Sequence, residues 1–260
     1  MRRAIEPAAM NTTTTETFVS HLIELRDRLM RVLIVFGILF FASFFWPTWP
    51  VLYSLFAQPL MAALPTGGQM ISTDVVGVFL VPMKIAALSS LLVMLPYALY
   101  QAWAFIAPGL YIHEKKFVMP LVVSSTLLFF AGMSFAYFLI FPMVFKFMAS
   151  FAPQGVAWMT DIEKYFGFAL SMFVVFGITF ETPVVVVLLV KMGLVSIEKL
   201  KEIRPYVFVG AFVVGAIFTP PDVLSQFALA VPLYVLYEAG ILCAQVLVKA
   251  KPVDAKSPQT

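Results

Sequence analysis

Cysteine is almost absent from this chain of 260 residues, Cys243 being the only one, so neither a disulfide framework nor a Cys-based metal site is available. Histidine is nearly as scarce, with only His21 and His113. There is no HExxH, no GxSxG and no glycine-rich phosphate loop, which removes the commonest metallohydrolase, serine-hydrolase and nucleotide-binding chemistries. Charge is the next shortage: charged residues make up 12% of the chain against 62% hydrophobic ones, and the mean hydropathy is +0.96. That composition lies far outside the range of a water-soluble globular protein, so lipid is the solvent for most of the chain. The net charge of +3 comes with no basic cluster interleaved with aromatics, which fits loop orientation in a membrane and argues against nucleic-acid binding. Asp222, Glu181 and Ser171 are conceivable parts of an intramembrane hydrolase, but none has a base or partner at helical spacing. We assign no catalytic residue, no metal and no cofactor.

What is abundant is long apolar runs. A bilayer core of about 30 Å needs about 20 apolar residues in helical form, and six runs approach that length, at about residues 30–45, 75–105, 117–148, 165–190, 205–218 and 223–248. The chain therefore reads as an all-α polytopic membrane protein of six transmembrane helices. They form one domain over residues 18–248, between an N-terminal extension, 1–17, and a polar tail, 249–260. No internal repeat is visible. Ser72-Thr73-Asp74 signals the start of the second run, and Thr160 with Glu163 three residues on has the spacing of a capping box before the fourth. Basic residues set the orientation. Arg2, Arg3, Arg26, Arg28 and Arg31 precede the first run, Lys115 and Lys116 follow the second, Lys191, Lys199, Lys201 and Arg204 separate the fourth from the fifth, and Lys249, Lys251 and Lys256 follow the sixth. The segments 46–73, 150–161 and 219–222 contain no Lys or Arg. That asymmetry predicts both termini in the cytoplasm. The first run ends in Phe44-Phe45-Trp46-Pro47 without a small-residue cleavage site, and reads as a retained anchor rather than a signal peptide.

Several features depart from a plain bundle. The fifth run, 205–218, spans only about 21 Å as a helix, and the sixth follows through the tight turn Thr219-Pro220-Pro221-Asp222 and meets Glu238 about 24 Å on. Such a hairpin mismatches an ordinary bilayer and is accommodated by local thinning or by burial against neighbours. Glu181 falls deep in the fourth run, two residues before the helix-breaking Pro183. A carboxylate there costs several kcal/mol unless protonated, paired or wetted. Two readings stand side by side: a buried neutral acid bonded to a carbonyl freed near Pro183, or a functional polar site in a groove. Lys84, beside Pro82, is expected to snorkel toward the nearer interface. Residues 51–64, apolar but broken by Pro59, are too short to span and read as an interfacial helix or external cap. Pro96, Pro120, Pro142 and Pro232 interrupt other runs, so the expected bundle is cupped, with bent helices. Residues 18–31 form an amphipathic helix, His21, Leu22, Leu25 and Leu29 on one face and Glu24, Asp27, Arg28 and Arg31 on another, where Glu24–Arg28 and Asp27–Arg31 are spaced as i,i+4 ion pairs. Glu114, in the loop after the second run, is a second carboxylate on the same side of the membrane.

His21-Leu-Ile-Glu-Leu-Arg26, Trp103-Ala-Phe-Ile-Ala-Pro108, Gly109-Leu-Tyr-Ile-His-Glu114, and Arg204-Pro-Tyr-Val-Phe-Val-Gly-Ala-Phe212 with Thr219-Pro-Pro-Asp222 recur in order. On these motifs the chain, from about residue 17 to 248, resembles the TatC family, the multispan subunit of the bacterial twin-arginine protein translocase. The resemblance implies a receptor in the bacterial inner membrane for signal peptides bearing two adjacent arginines. With the single-span partners TatA and TatB, and with further copies of itself, such a receptor moves folded proteins across the membrane on the proton-motive force. It also implies roles for residues. Glu24 and Glu114 would face the arginine pair, a planar charge-assisted match that lysine cannot reproduce, with Leu25, Arg26 and Phe105 flanking them. Pro59 in the cap, Tyr137 in the third run, Glu181 in the groove, and Asp222 with Gln226 at the start of the sixth would carry functional weight. The short fifth and sixth runs would dock TatB and TatA. Lys115, Lys116 and Asp27 depart from the family pattern, which commonly has Arg, Arg and a basic residue there; this touches only the local electrostatics.

Two other readings compete. A proton-coupled secondary transporter of small solutes would use Glu181 as its site, but such proteins often show repeated halves around a midplane cavity, and none is visible here. A scaffold without transport would tolerate loss of Glu24 and Glu114.

Overall fold

The computed structural model describes residues 9–45, 49–64, 69–106, 118–151, 159–218 and 223–249, with side chains from Val19 to Leu247. Ten α-helices follow one another among the described residues: α1 (Ala9–Phe45), α2 (Trp49–Met61), α3 (Gly77–Ile106), α4 (Val118–Phe135), α5 (Phe141–Ser150), α6 (Ile162–Phe180), α7 (Thr182–Lys191), α8 (Ile197–Glu202), α9 (Arg204–Phe218) and α10 (Val223–Lys249). Two strands, β1 (Met70–Ile71) and β2 (Thr160–Asp161), pair in parallel. Among the described residues, five stretches are long and apolar enough to cross a membrane: 19–45, 77–106, 118–150, 162–191 and 223–247; α9 is a shorter apolar helix of 15 residues. All six runs read from the sequence are helical, and α9 has the shortness expected of the fifth. The turn 219–222 lies outside the described residues.

The amphipathic segment and the first apolar run turn out to be one uninterrupted helix, α1, because no Pro or Gly separates them and their periodicity is continuous. None of its apolar stretch is buried by protein. It packs chiefly on α3, and its phenylalanines Phe36, Phe40, Phe41, Phe44 and Phe45 contact one another in series. Only lipid suits such a surface.

Elsewhere the helices approach through glycine. A Cβ at Gly132 would stand 2.5 Å from the Phe176 carbonyl oxygen, and one at Gly177 would stand 2.4 Å from the Phe129 ring. Glycine on each helix thus admits the other, and α4 and α6 pack backbone to backbone, as small residues allow in membranes. Gly240 of α10 does the same over Pro183 of α7, at 2.9 Å. Between these contacts lies the main core, with Phe141, Phe173, Phe176, Ile85 and Leu229 fully enclosed.

The third run is not one regular helix. Between α4 and α5 a π-helical turn, Ala136–Ile140, inserts an extra residue, just before Pro142, which cannot donate to an i−4 carbonyl. Tyr137 lies in that turn, and its hydroxyl donates to the Leu55 carbonyl of α2 at 2.7 Å. Tyr165 of α6 donates likewise to the Phe56 carbonyl. These two bonds seat α2, the cap expected from the sequence, and Pro59 is buried within it.

At the same end of the bundle, Asp161 rather than Thr160 caps α6: its Oδ1 accepts from the Glu163 N–H at 2.9 Å and the Lys164 N–H at 3.1 Å. Asp is as good an N-cap as Thr or better, and here its second oxygen accepts from both the hydroxyl and the N–H of Thr73. Lys84 pairs with Glu163, in the first turn of α6, at 2.9 Å, both half-buried. The strand pair, Thr73–Asp161 and Lys84–Glu163 together clamp the start of α3 to the start of α6. The Thr73 hydroxyl first, then the Thr73 and Lys164 N–H groups, hold the Asp161 carboxyl below its ordinary value of 3.8. A depressed carboxyl contributes its stabilisation above the unfolded-state value and loses it as the pH falls below that value. In detergent the midpoint of thermal unfolding should therefore drop on acidification below about pH 4, and Thr73→Val should flatten that drop. An acid limb unchanged in Thr73→Val would show that the clamp does not depend on Asp161.

Candidate functional site

At the arginine- and lysine-rich end, α1 and α3 meet antiparallel through two contacts. His21 stacks on Phe105 with ring centroids 4.3 Å apart and planes 16° from parallel. Two helical turns further along α1, Arg28 donates from Nη1 to the Gln101 side-chain oxygen at 3.1 Å, and Gln101, itself buried, donates to the Tyr97 hydroxyl at 2.9 Å. Glu24 sits between these contacts, one turn from either on the same helix. Its Oε1 accepts from Arg28 Nε at 2.9 Å and Nη2 at 2.7 Å. A surface depression there is lined by Ser20, Ile23, Glu24, Asp27, Arg28 and Arg31. Of the two expected i,i+4 pairs, Glu24–Arg28 forms; Asp27 instead pairs with its neighbour Arg26, at 2.8 Å on an exposed face. The depression is thus lined by two carboxylates and two guanidiniums.

Leu25 and Arg26 are exposed beside Glu24, and Phe105 is half-buried, so four of the five expected recognition residues gather at the α1–α3 contact. The fifth, Glu114, lies outside the described residues, as does Asp222. Gln226 is placed: its side-chain N–H donates to the Phe212 carbonyl at 2.9 Å, and its atoms lie over Gly215, joining α10 to α9. At the basic end the same two helices are tied by Arg204–Glu238 at 2.6 Å, while the Tyr237 hydroxyl donates to the Leu200 carbonyl at 2.7 Å and holds α8.

Glu181 occupies the break between α6 and α7. Pro183 has no N–H for the Thr179 carbonyl, and the Thr182 hydroxyl donates to it instead, at 2.6 Å. The carbonyl freed near Pro183 is thus taken by the Thr182 hydroxyl rather than by the acid. Both Glu181 oxygens are buried without a hydrogen-bond partner, and the residue is 8% exposed. The adjacent polar group is the Ser125 hydroxyl of α4, which accepts from the Trp103 indole N–H of α3 at 2.9 Å. Trp103, Val122, Val184 and Leu188 form an apolar cluster beside it. Four helices thus converge on a buried carboxyl whose polar neighbour is Ser125.

Sequence reasoning missed Gln101, Tyr97 and Ser125, and named Trp103 only as the start of a motif. Their one visible signal was Gln101, a polar side chain in an apolar run one helical turn before Phe105. No cluster of three or more metal-ligating side chains occurs among the described residues.

Helices of this length and apolarity, with outer faces that only lipid suits, make this a multi-pass membrane protein. Residues 20–232 match the family described as Sec-independent protein translocase protein (TatC). The chain is 48% identical over 232 residues to the Sec-independent protein translocase protein TatC of Escherichia coli (strain K12), covering 89% of each chain. It is 35% identical over 238 residues to TatCy of Bacillus subtilis (strain 168), covering 88% of this chain and 89% of that one. The solved structure described as twin arginine translocase receptor TatC superimposes with a TM-score of 0.78 at 35% identity, covering 88% of this chain and 99% of that one. The chain belongs to the TatC family, and is a component of a Sec-independent protein translocase rather than an enzyme. The transporter alternative gains no support from these relatives.

Proposed function

We propose that this chain is the signal-peptide receptor of its translocase, and that Glu24 and Glu114 receive the two adjacent arginines. The observation that carries the reading is the Glu24 carboxylate at the α1–α3 contact. It is half-buried beside the exposed Leu25 and Arg26 and the half-buried Phe105, and both Arg28 bonds fall on one of its oxygens, so Arg28 does not claim the other. The distribution of Lys and Arg supports a topology with both termini cytoplasmic. α9 is the sixth, short span in this reading, and the recognition site then faces the cytoplasm, in a bacterial inner membrane. α9 and the start of α10, joined through Gln226, offer TatA and TatB a docking surface on which Tyr206, Val209, Val213 and Ile217 are exposed.

The test is site-specific crosslinking from positions 24 and 114 to a twin-arginine signal peptide in membranes, against the same peptide with two lysines. Strong crosslinks from both positions, lost with the lysine pair, are expected. Their absence, with the protein folded and its partners present, would sink the receptor reading.

A further inference from the structure

We infer that Arg28, anchored by Gln101 and Tyr97, is a positioning residue that fixes Glu24 for an incoming guanidinium and so sets the preference for arginine over lysine. The inference rests on the reading of Glu24 as a carboxylate for the signal peptide.

An exposed carboxylate on a helix rotates freely and accepts any cation that approaches. Glu24 does not have that freedom, because two donors of one rigid guanidinium converge on Oε1 at 2.9 and 2.7 Å. Nor is Arg28 free to move. Its third nitrogen is bonded at 3.1 Å to Gln101, a side chain only 5% exposed, which is held in turn by Tyr97 at 2.9 Å. The first link runs along α1, the second crosses to α3 and the third runs along α3, so the helix contact itself defines the direction in which Oε2 points. An ionised carboxylate offers about four lone-pair sites, so Oε2 keeps its capacity while Oε1 is engaged.

Two consequences bear on specificity. The charge of Arg28 offsets that of Glu24, so the depression attracts a passing cation weakly; with two acids and two arginines lining it, long-range attraction does not choose the ligand. Geometry then does. A fixed oxygen rewards a planar donor with several N–H groups in set directions, whereas an ammonium is a compact, strongly hydrated charge that gains little from the fixed direction and loses more hydration. Holding the acceptor beforehand also removes the entropy of ordering it on binding.

The experiment measures binding of arginine-pair and lysine-pair signal peptides to the full chain in lipid nanodiscs. Parent, Gln101→Leu, Arg28→Lys and Glu24→Gln are compared, with thermal unfolding of each as a check on folding. Gln101→Leu leaves every charge in place and removes only the anchor; Arg28→Lys keeps the charge and removes the fork. Each should weaken the arginine peptide about tenfold, the equivalent of one hydrogen bond to a charged group. The lysine peptide should change much less, so that the preference collapses at unchanged thermal stability. Unchanged preference in both variants, with Glu24→Gln still defective, overturns the positioning role alone. Tighter binding of the arginine peptide in Arg28→Lys would make Arg28 a competitor and overturn it too. Parent-like binding by Glu24→Gln overturns the reading of Glu24 and this inference with it.

Discussion

Gly132→Val prevents stable assembly of the bundle, while Gly210→Ala is harmless. The contrast follows from what each new side chain would meet. At Gly132 even the first carbon lies 2.5 Å from the Phe176 carbonyl oxygen, 2.9 Å from the Phe180 ring and 3.0 Å from the Phe176 carbonyl carbon. Two of those three atoms are backbone and cannot rotate away, so α4 must move off α6. That separation also lifts Phe129 off Gly177, where the ring rests, and both contacts belong to the main core. Overpacking a tight core costs about 1 to 3 kcal/mol and more where the backbone has to shift; valine, with two further methyl groups, should exceed that range. Gly210 has nothing within 4 Å of a new Cβ, so alanine there should be neutral or gain up to about 1 kcal/mol of helix propensity. Accumulation in membranes and thermal unfolding in detergent separate the two. A Gly132→Val protein that accumulates and melts like the parent would mean that the α4–α6 contact is looser than described.

The spans were legible in the sequence because length and apolarity are what a bilayer demands, and these are properties of a run rather than of a contact. The short α9, the cap helix and the break at Glu181 were legible for the same reason, each announced by Pro or by a missing turn. What the sequence concealed are features created by contact between elements. Asp161 outcompetes Thr160 as the cap because Thr73, 88 residues away in sequence, rewards its second oxygen. Lys84 finds Glu163 on another helix, and the π-helical turn at Ala136–Ile140 places Tyr137 over a cap whose position no local pattern encodes. At the proposed recognition site the acid was visible and its supporting residues were not. Gln101 and Tyr97 look like ordinary interruptions of an apolar run until α1 is laid against α3. Pairing at Asp27 went to the neighbour Arg26 rather than to Arg31 because an exposed side chain, free of packing, takes whichever partner its rotamer reaches.

Glu181→Leu should stabilise the protein and impair transport together. The stability half rests on the burial of the acid: its oxygens have Ser125 as polar neighbour but make no well-formed hydrogen bond, which costs about 1 to 3 kcal/mol, and in a membrane-embedded site the penalty is no smaller. Leucine fills similar space beside Trp103, Val122, Val184 and Leu188 and removes it. A residue kept at such a cost in stability is expected to serve function, the trade-off that strained or polar sites commonly show. Glu181→Gln tests which property matters. It keeps polar atoms that a passing peptide, a water or Ser125 can bond, and gives up the charge. If hydrogen bonding is what the site needs, export of twin-arginine substrates should survive in Glu181→Gln at a reduced rate and be lost in Glu181→Leu. Equal loss in the two would make charge the essential property. Export at parent level in Glu181→Leu, with the expected gain in thermal stability, would leave the acid without a functional role.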